Sequence, residues 1–569
     1  MAGLLSKERI VAKEGFNRWL IAPAALGIHL CIGSVYAWSL FNPALIKRLG
    51  VVTSAADDWT LKGVVWVFTV AIVFLGLAAA IGGHWLEKVG PRMVGVVAAC
   101  CWSGGFFIGG FGIVTGQLWL LYLGYGVLGG CGLGLGYVSP VGTLIRWFPD
   151  RRGMATGIAI TGFGGGAMIA KPMIEGFLRY YHKLPDYLGS VDSLKLVTDE
   201  TGRRLTQVAG EMKEVVIIGA NDVANMIIPG QEGVYLVGTG SIGVAQTFFT
   251  IGIIYLVVML CAAFGYRVPP EGWKPAGWEP PEEGEHHGKM ITTHHVHIDK
   301  ALKTRQFYQL WVILCFNVTA GIGVLAVAKT MMTDIFGRTL PDLVDLRFAA
   351  TYVLIISAFN MVGRFFWASI SDYLGRKTTY YIFFVLGIML YCSIPYTAAQ
   401  VSVDPSVIWL VYFYAATLLI FTMYGGAFAT IPAYLADVFG TRFVGGIHGR
   451  LLTAWASAGV FGPVAITSLR EISVKNAIDD LVSKIDPSQF QAKFGAGVEQ
   501  LQILINANTV TIAKLMEIVP AGTIDPTPNL YNTTMYLMAV VLFIALLANA
   551  FMHPVDAKHY MKTQEAVRE

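Results

Sequence analysis

Charge is what this sequence has least of. Of its 569 residues only 14% are charged, while 55% are hydrophobic and the mean hydropathy is +0.59. A water-soluble globular chain carries about 25% charged residues, so the deficit excludes that class and leaves an integral membrane protein. Cysteine is missing from the places where it would crosslink. All seven (Cys31, Cys100, Cys101, Cys131, Cys261, Cys315, Cys392) fall inside apolar runs and none in a polar loop, which argues against a disulfide framework and for small packing residues. No cleavable leader is evident. The opening MAGLLSKERIVAKEGFNRW is a basic, polar lead of the kind that stays in the cytoplasm. No nucleophile–base pair or H-E-x-x-H metal pattern stands at membrane depth, so neither an enzyme nor a resident cofactor or metal is expected.

Apolar runs are what the chain has in abundance. A membrane helix needs about 20 mostly apolar residues, and such runs lie near 19–42, 62–84, 93–114, 118–147, 153–178 and 243–266. Six more lie near 308–335, 348–370, 379–400, 406–435, 446–468 and 533–552. The expected fold is therefore all-α and membrane-spanning: an amino-terminal six-helix bundle (1–266), a polar linker (267–307) and a carboxy-terminal six-helix bundle with a short tail (308–569). The connections EKVGPR, RWFPDRRG, DYLGRK and GTRFVGGIHGR all fall on one side, whereas the opposing short loops after spans 3 and 9 lack Lys and Arg. Positive charge stays inside, so both termini are expected in the cytoplasm, with the plasma or inner membrane as the expected location.

The two halves read as copies. GHWLEKVGPR after span 2 matches SISDYLGRK after span 8, pairing Glu87 with Asp372, Gly90 with Gly375 and Arg92 with Lys377. Pro140 in span 4 precedes Gly153 and Gly157 at the same spacings by which Pro432 in span 10 precedes Gly445 and Gly449. Such repeats imply two bundles around a midplane site. Two long segments, about 179–242 and 470–531, occupy equivalent places on the opposite side and are too apolar for disordered insertions. They are expected to form an external cap of short helices.

One fixed charge stands out. Arg364 lies in SAFNMVGRFFW, eight residues before Asp372, which puts it about 12 Å inside the membrane at 1.5 Å per residue. An arginine near the bilayer centre costs at least about 2.5–3.5 kcal/mol unless paired or hydrated. No acidic residue lies within a turn of it in span 8. A guanidinium fork accepts a carboxylate in bidentate fashion, so an anionic partner is one reading; pairing to a carbonyl or another helix is the plainer one.

These residues resemble the major facilitator superfamily: six plus six spans, with an acidic-Gly-basic signature after spans 2 and 8. GSVYAWSLF (33–41), WFPDRRGMATG (147–157) and PPEGWKPAGW (269–278) are similar to motifs of the oxalate/formate antiporter family, itself related to the monocarboxylate transporters. The resemblance implies a carrier of a small carboxylate, with protons a candidate co-substrate and a monomer the expected state. It implies that Arg364 binds the substrate carboxylate and that Asn360, at i−4, orients it. It implies a cytoplasmic gate of Glu87, Gly90, Arg92, Asp372, Gly375, Arg376 and Lys377. Tyr36, Trp38 and Tyr137 match aromatic positions of the family motifs, with core packing as the alternative. The oxalate-specific pattern has a lysine in span 11 where LLTAWASAG carries Trp455. One cation suits one carboxylate, so a monocarboxylate (lactate, pyruvate or formate class) is expected, with oxalate–formate exchange and a transporter-like sensor as alternatives.

Three other basic groups are candidates for coupling. His29, near the middle of span 1, is able to carry a proton at physiological pH or to pack as a neutral ring. Lys171 and Lys329 stand near the outer boundary, where interfacial anchoring competes with an anion-coupling role, and Glu175 partners Lys171 at i+4. The glycine-rich run 124–136 reads as close helix packing rather than a dinucleotide loop. The five histidines of EHHGKMITTHHVHID (285–299) read as a polar linker, with a metal site as the alternative.

Overall fold

The computed structural model describes residues 3–46, 59–198, 203–218, 230–270, 272–279, 291–292, 294–494, 496–506 and 510–561. Among them are twelve helices long and apolar enough to cross a membrane: Arg18–Leu40, Gly63–Val89, Pro91–Thr115, Leu118–Trp147, Arg152–Tyr181 and Val244–Gly265, then Arg305–Leu325, Thr351–Leu374, Arg376–Val403, Val407–Phe439, Val444–Ser483 and Thr527–Ala550. They are called spans 1 to 12 below. Span 7 continues as helix to Phe336, and span 8 begins at Leu346.

Local chemistry sets several ends. The Phe307 amide donates to Thr304 Oγ1 at the start of span 7, and the Phe348 amide donates to the Asp345 carboxylate at the start of span 8; both satisfy helix N–H groups that have no partner of their own. Gly90 and Gly375 each end one helix and start the next within a single residue, at φ 84° and 82°. Only glycine adopts that backbone without strain, which is the physical reason for the glycine in both signature stretches.

Small residues bring the helices together. Around the glycine-rich run, a Cβ at Gly105 of span 3 would stand 2.8 Å from the Gly124 carbonyl, and one at Gly130 would stand 2.7 Å from the Ala71 carbonyl. Spans 3, 4 and 2 therefore pack backbone to backbone there. The described terminal stretches and the described parts of the linker lie on one face, called the terminal face. The Ala12 amide donates to the Val268 carbonyl (2.9 Å), and the Met561 amide donates to the His295 carbonyl (3.0 Å).

The opposite face carries the two long segments, and they differ. The first forms a five-stranded antiparallel sheet rather than the expected short helices: β1 (Tyr187–Gly189), β2 (Val197–Thr198), β3 (Arg204–Val208), β4 (Glu211–Ile218) and β5 (Gly233–Leu236), in the order β1-β5-β4-β3-β2. Ala209 and Gly210, both at positive φ (53° and 90°), make the tight turn between β3 and β4, in which Val208 pairs with Glu211. Val216, Ile218 and Tyr235 pack on one side of the sheet, and Val215, Val234 and Leu236 on the other, which is the period-two pattern of strands. The second segment is helical: span 11 runs on to Ser483, and short helices follow at Pro487–Phe494, Leu501–Asn506 and Ile512–Leu515.

Candidate substrate site between the bundles

Spans 1, 4 and 5 of the first bundle and spans 8, 10 and 11 of the second converge on Arg364. Its side chain is 1% exposed. Nε donates to Asn360 Oδ1 (3.3 Å), Nη1 donates to the Ile160 carbonyl of span 5 (3.1 Å), and the guanidinium carbon lies 5.4 Å from the centre of the Phe428 ring. The guanidinium also faces the Tyr36 hydroxyl. Among the described residues no carboxylate forms an ion pair with it. Room for the head group comes from span 5, where Gly164 offers no side chain: a Cβ there would stand 2.8 Å from Nε.

Aromatic rings wall the rest. Phe163 meets Tyr36 (5.3 Å between centroids), Tyr137 (5.3 Å) and Trp455 (5.4 Å) edge-on, and Phe428 meets Trp455 (4.9 Å) and Tyr137 (5.9 Å). Into this apolar shell point polar atoms with no partner. The Tyr137 hydroxyl, Trp455 Nε1 and both ring nitrogens of His448 are buried and unbonded. Buried polar groups are normally satisfied, and several orphans around one cation describe a place built for a polar guest. Tyr137 lies between two histidines, His29 at 5.1 Å and His448 at 5.7 Å between ring centroids. His29 Nδ1 and Nε2 face the carbonyls of Ala159 and Tyr137.

The sequence candidates divide clearly. Arg364, Asn360, Tyr36, Tyr137, Trp455 and His29 come together. Trp38 does not: it packs among Tyr125, Phe41 and Phe248 inside the first bundle. Lys171 is partly exposed beside Glu175, 4.0 Å away, and Lys329 is exposed; neither joins the cluster. His448, Phe163, Phe428 and Gly164 were not read from the sequence. His448 stands seven residues before Trp455, on the same helical face, and that spacing was the available signal. The stretch GTRFVGGIHGR reads as a basic connection, which masks that signal.

Below the site, the bundles are zipped together at the terminal face. Asp372 accepts hydrogen bonds from the amides of Gly153 (2.8 Å) and Met154 (2.9 Å), capping the start of span 5 across the interface, where free N–H groups and the helix dipole favour a carboxylate. Arg376 binds Asp372 (2.5 Å) and Asp437 (3.1 Å), and Asp437 binds Arg152 of the first bundle (2.9 Å). In the other half Glu87 pairs with Arg146, which also donates to the Arg442 carbonyl (2.9 Å), and Glu87 Oε1 lies beside Gly445 at the start of span 11. Glycine at positions 153 and 449 permits this closeness, since a Cβ would collide with the carbonyls of Ala368 and Ala79 respectively. Arg92 and Lys377, the other basic members of the expected gate, bond within their own bundles. Arg92 donates to the carbonyls of Leu4 and Phe264 (both 3.2 Å), and Lys377 to those of Ala550 (3.0 Å) and Met552 (2.8 Å). Each reaches a carbonyl at the end of its bundle's last span, where unpaired oxygens attract a cation, and Arg92 also reaches one ahead of span 1.

The Major Facilitator Superfamily pattern matches residues 24–182 and 226–463; the chain belongs to that superfamily and is a membrane transporter, not an enzyme. It is 25% identical over 447 residues to the oxalate:formate antiporter of Oxalobacter formigenes, covering 78% of this chain and 83% of that one. It is 22% identical to apicoplast pyruvate carrier 1 of Toxoplasma gondii, covering 77% and 81%. It is 30% identical to human monocarboxylate transporter 11 over 163 residues, 28% of this chain and 32% of that one. Among solved structures it superposes on the E. coli fucose:proton symporter with a TM-score of 0.52 at 10% identity, covering 95% of this chain and all of that one. A bacterial homologue of the iron transporter ferroportin gives a TM-score of 0.53 at 10% identity, covering 93% and 98%. These two likenesses carry the fold alone.

Proposed function

We propose that this protein carries a small monocarboxylate across the membrane by alternating access, with Arg364 as the anion clamp. The observation that supports it most is the guanidinium buried between the bundles with no carboxylate beside it and unbonded polar atoms around it. A carboxylate entering there accepts from the free face of the guanidinium, while the hydroxyls of Tyr137 and Tyr36 are placed to donate to its second oxygen. Asn360 holds Nε, so the fork is oriented before the substrate arrives. Phe163, Phe428 and Trp455 exclude water and strengthen the charge–charge attraction. They also limit the guest to a short acid. The names of the oxalate, pyruvate and monocarboxylate relatives support the carboxylate class.

Movement follows from the zipped face. The two bundles are joined at the terminal face, which the basic connections assign to the cytoplasm, and Arg364 lies buried above that seam. Opening that face parts Asp372 from Gly153 and Met154, and Asp437 from Arg152. Arg364 itself bridges the bundles through the Ile160 carbonyl, so an anion that draws the guanidinium off this oxygen loosens the interface at its centre.

Exchange of oxalate for formate is the second reading, supported by the likeness to the oxalate:formate antiporter of Oxalobacter formigenes. Counterflow in proteoliposomes with labelled lactate, pyruvate, formate and oxalate tests both. Arg364→Ala is expected to abolish flux while the protein still reaches the membrane. Retained uptake places the substrate elsewhere, and a clear preference for oxalate replaces the monocarboxylate reading with the exchanger.

A further inference from the structure

His29 takes no part in the anion clamp, yet its hydrogen-bonding partners are of one kind. The side chain is fully buried in span 1. Nδ1 lies 2.5 Å from the Ala159 carbonyl of span 5, and Nε2 lies 3.2 Å from the Tyr137 carbonyl of span 4. A carbonyl oxygen only accepts. A neutral imidazole has one N–H and one lone pair, whereas an imidazolium has two N–H groups. In either tautomer the neutral ring therefore turns a lone pair on one of these two oxygens. The protonated ring donates to both.

Packing holds the ring in that position. A Cβ at Gly162 would stand 3.1 Å from the His29 Cβ, so the glycine lets span 5 close on span 1 at this level. The Tyr137 ring lies 5.1 Å away and the Phe163 ring meets the imidazole edge-on at 6.2 Å. Span 5 also ties this place to the clamp. The Ile160 carbonyl, next in sequence after that of Ala159, accepts from Arg364 Nη1 (3.1 Å). Two successive carbonyls of one helix thus face two basic side chains. The titratable and charged groups that face His29 are Tyr137 of span 4, Arg364 of span 8 and His448 of span 11. From span 5 it meets Phe163, Gly162 and the Ala159 carbonyl. Among the described residues no carboxylate pairs with it.

A proton on His29 is opposed by burial and by the Arg364 charge, and favoured by the two carbonyls. A carboxylate seated on Arg364 cancels the opposing charge and leaves the two acceptors in place. We infer that His29 is the proton-binding residue of a carboxylate–proton symporter: it takes up a proton as the anion seats on Arg364 and releases it as the anion leaves. By reciprocity the proton strengthens the anion's hold. This inference rests on the reading of Arg364 as the anion clamp. His29, Ala159 and Tyr137 all belong to the first bundle, whereas Arg364 belongs to the second. Rocking of the bundles therefore changes the distance between the arginine and the ring while the two acceptors travel with the ring. One anion and one proton together carry no net charge.

The test counts protons. The full-length protein in detergent is titrated calorimetrically with lactate and with pyruvate, in buffers of different ionisation enthalpy. The wild type is expected to take up about one proton per anion bound, and His29→Gln close to none, since glutamine donates to one carbonyl but cannot carry the charge. His448→Gln, which removes the other buried imidazole of the cluster, is expected to keep the proton count. Affinity for the acid should rise by up to about tenfold for each unit that the pH falls between about 8 and about 6 in the wild type, and should stay flat in His29→Gln. Carboxyl groups of this kind titrate at about 3.3–3.7, so a slope in that window belongs to the protein. In proteoliposomes a pH gradient should drive accumulation of the acid by the wild type, and His29→Gln should lower accumulation relative to counterflow by roughly tenfold or more. A wild-type proton count near zero overturns the inference. So does a count kept by His29→Gln, or a parallel loss of accumulation and counterflow in both His29→Gln and His29→Asn, which is the signature of a packing role. Monocarboxylate counterflow with no proton uptake defeats this inference and leaves the Arg364 reading standing. Absence of binding and flux for every acid defeats that reading, and this one with it.

Discussion

Replacing Gly164 by alanine probes the central site without substituting any residue placed in contact with substrate. The new Cβ would lie 2.8 Å from Arg364 Nε and 3.1 Å from both Cδ and Cζ. Carbon contacts settle at about 3.5–4.0 Å, so the guanidinium must retreat by about 0.5–1 Å. Its bond to Asn360 Oδ1 is already 3.3 Å long and is the first to go. A hydrogen bond to a charged group is worth about 1.5–3 kcal/mol, and every 1.4 kcal/mol is tenfold in affinity. The KM for the carboxylate should therefore rise about 10- to 150-fold. Stability should hardly change, because the obstacle is the mobile end of a side chain and alanine favours the helix over glycine by about 0.8–1.0 kcal/mol. Saturation of counterflow in proteoliposomes reads the KM, and Gly176→Ala, in the same span with nothing within 4 Å of the added methyl, is the control. A KM that stays at the wild-type value in a well-expressed Gly164→Ala protein refutes the assignment of Arg364 as the anion clamp.

The remaining predictions follow from the same geometry. Arg364→Lys keeps the charge but loses the fork and the Nε bond to Asn360, so flux should fall by roughly tenfold or more; unimpaired flux means that charge alone suffices. Trp455→Lys restores a cation beside Tyr137 and Phe428 and should move preference from lactate toward oxalate in competition counterflow, and an unchanged ranking counts against the one-cation argument. Asp437→Asn weakens the links to Arg152 and Arg376 and should raise thiol labelling of a Met154→Cys reporter from the terminal side. Labelling at the unmodified rate would show that those ion pairs do not hold the face closed. Removing the sheet, residues 187–236, should leave counterflow in place, whereas loss of flux in a folded protein would give the sheet a part in substrate entry.

Much of this architecture was legible in the linear chain because its signals are local. Bilayer thickness imposes a run length on every span, and the signature stretches repeat after spans 2 and 8 with glycines that a one-residue reversal requires. Arg364 announced itself through the cost of burying a fixed charge. The first long outer segment is a sheet where short helices were expected, and β4 in EMKEVVII is unbroken in its apolar part. That part is apolar throughout since both faces of the strand are covered, and periodicity cannot separate such a strand from a buried helix. Arg92 and Lys377 share the charge of Arg376 and the spacing of the signature, but which carbonyl or carboxylate a long side chain reaches is settled by neighbours far away in sequence.

By itself, then, the sequence determined a membrane protein of two six-span halves with one costly arginine at depth. Burial energies and backbone sterics are properties of each stretch of chain and need no partner to act. Only the tertiary structure decided what surrounds that arginine. It set Gly164 beneath the guanidinium, turned His448 and Trp455 inward beside Tyr137, sent Trp38 away to another cluster, and let Asp372 cap a helix of the opposite bundle. Each of those arrangements is a meeting of distant segments, fixed by how helices pack against one another rather than by any one of them.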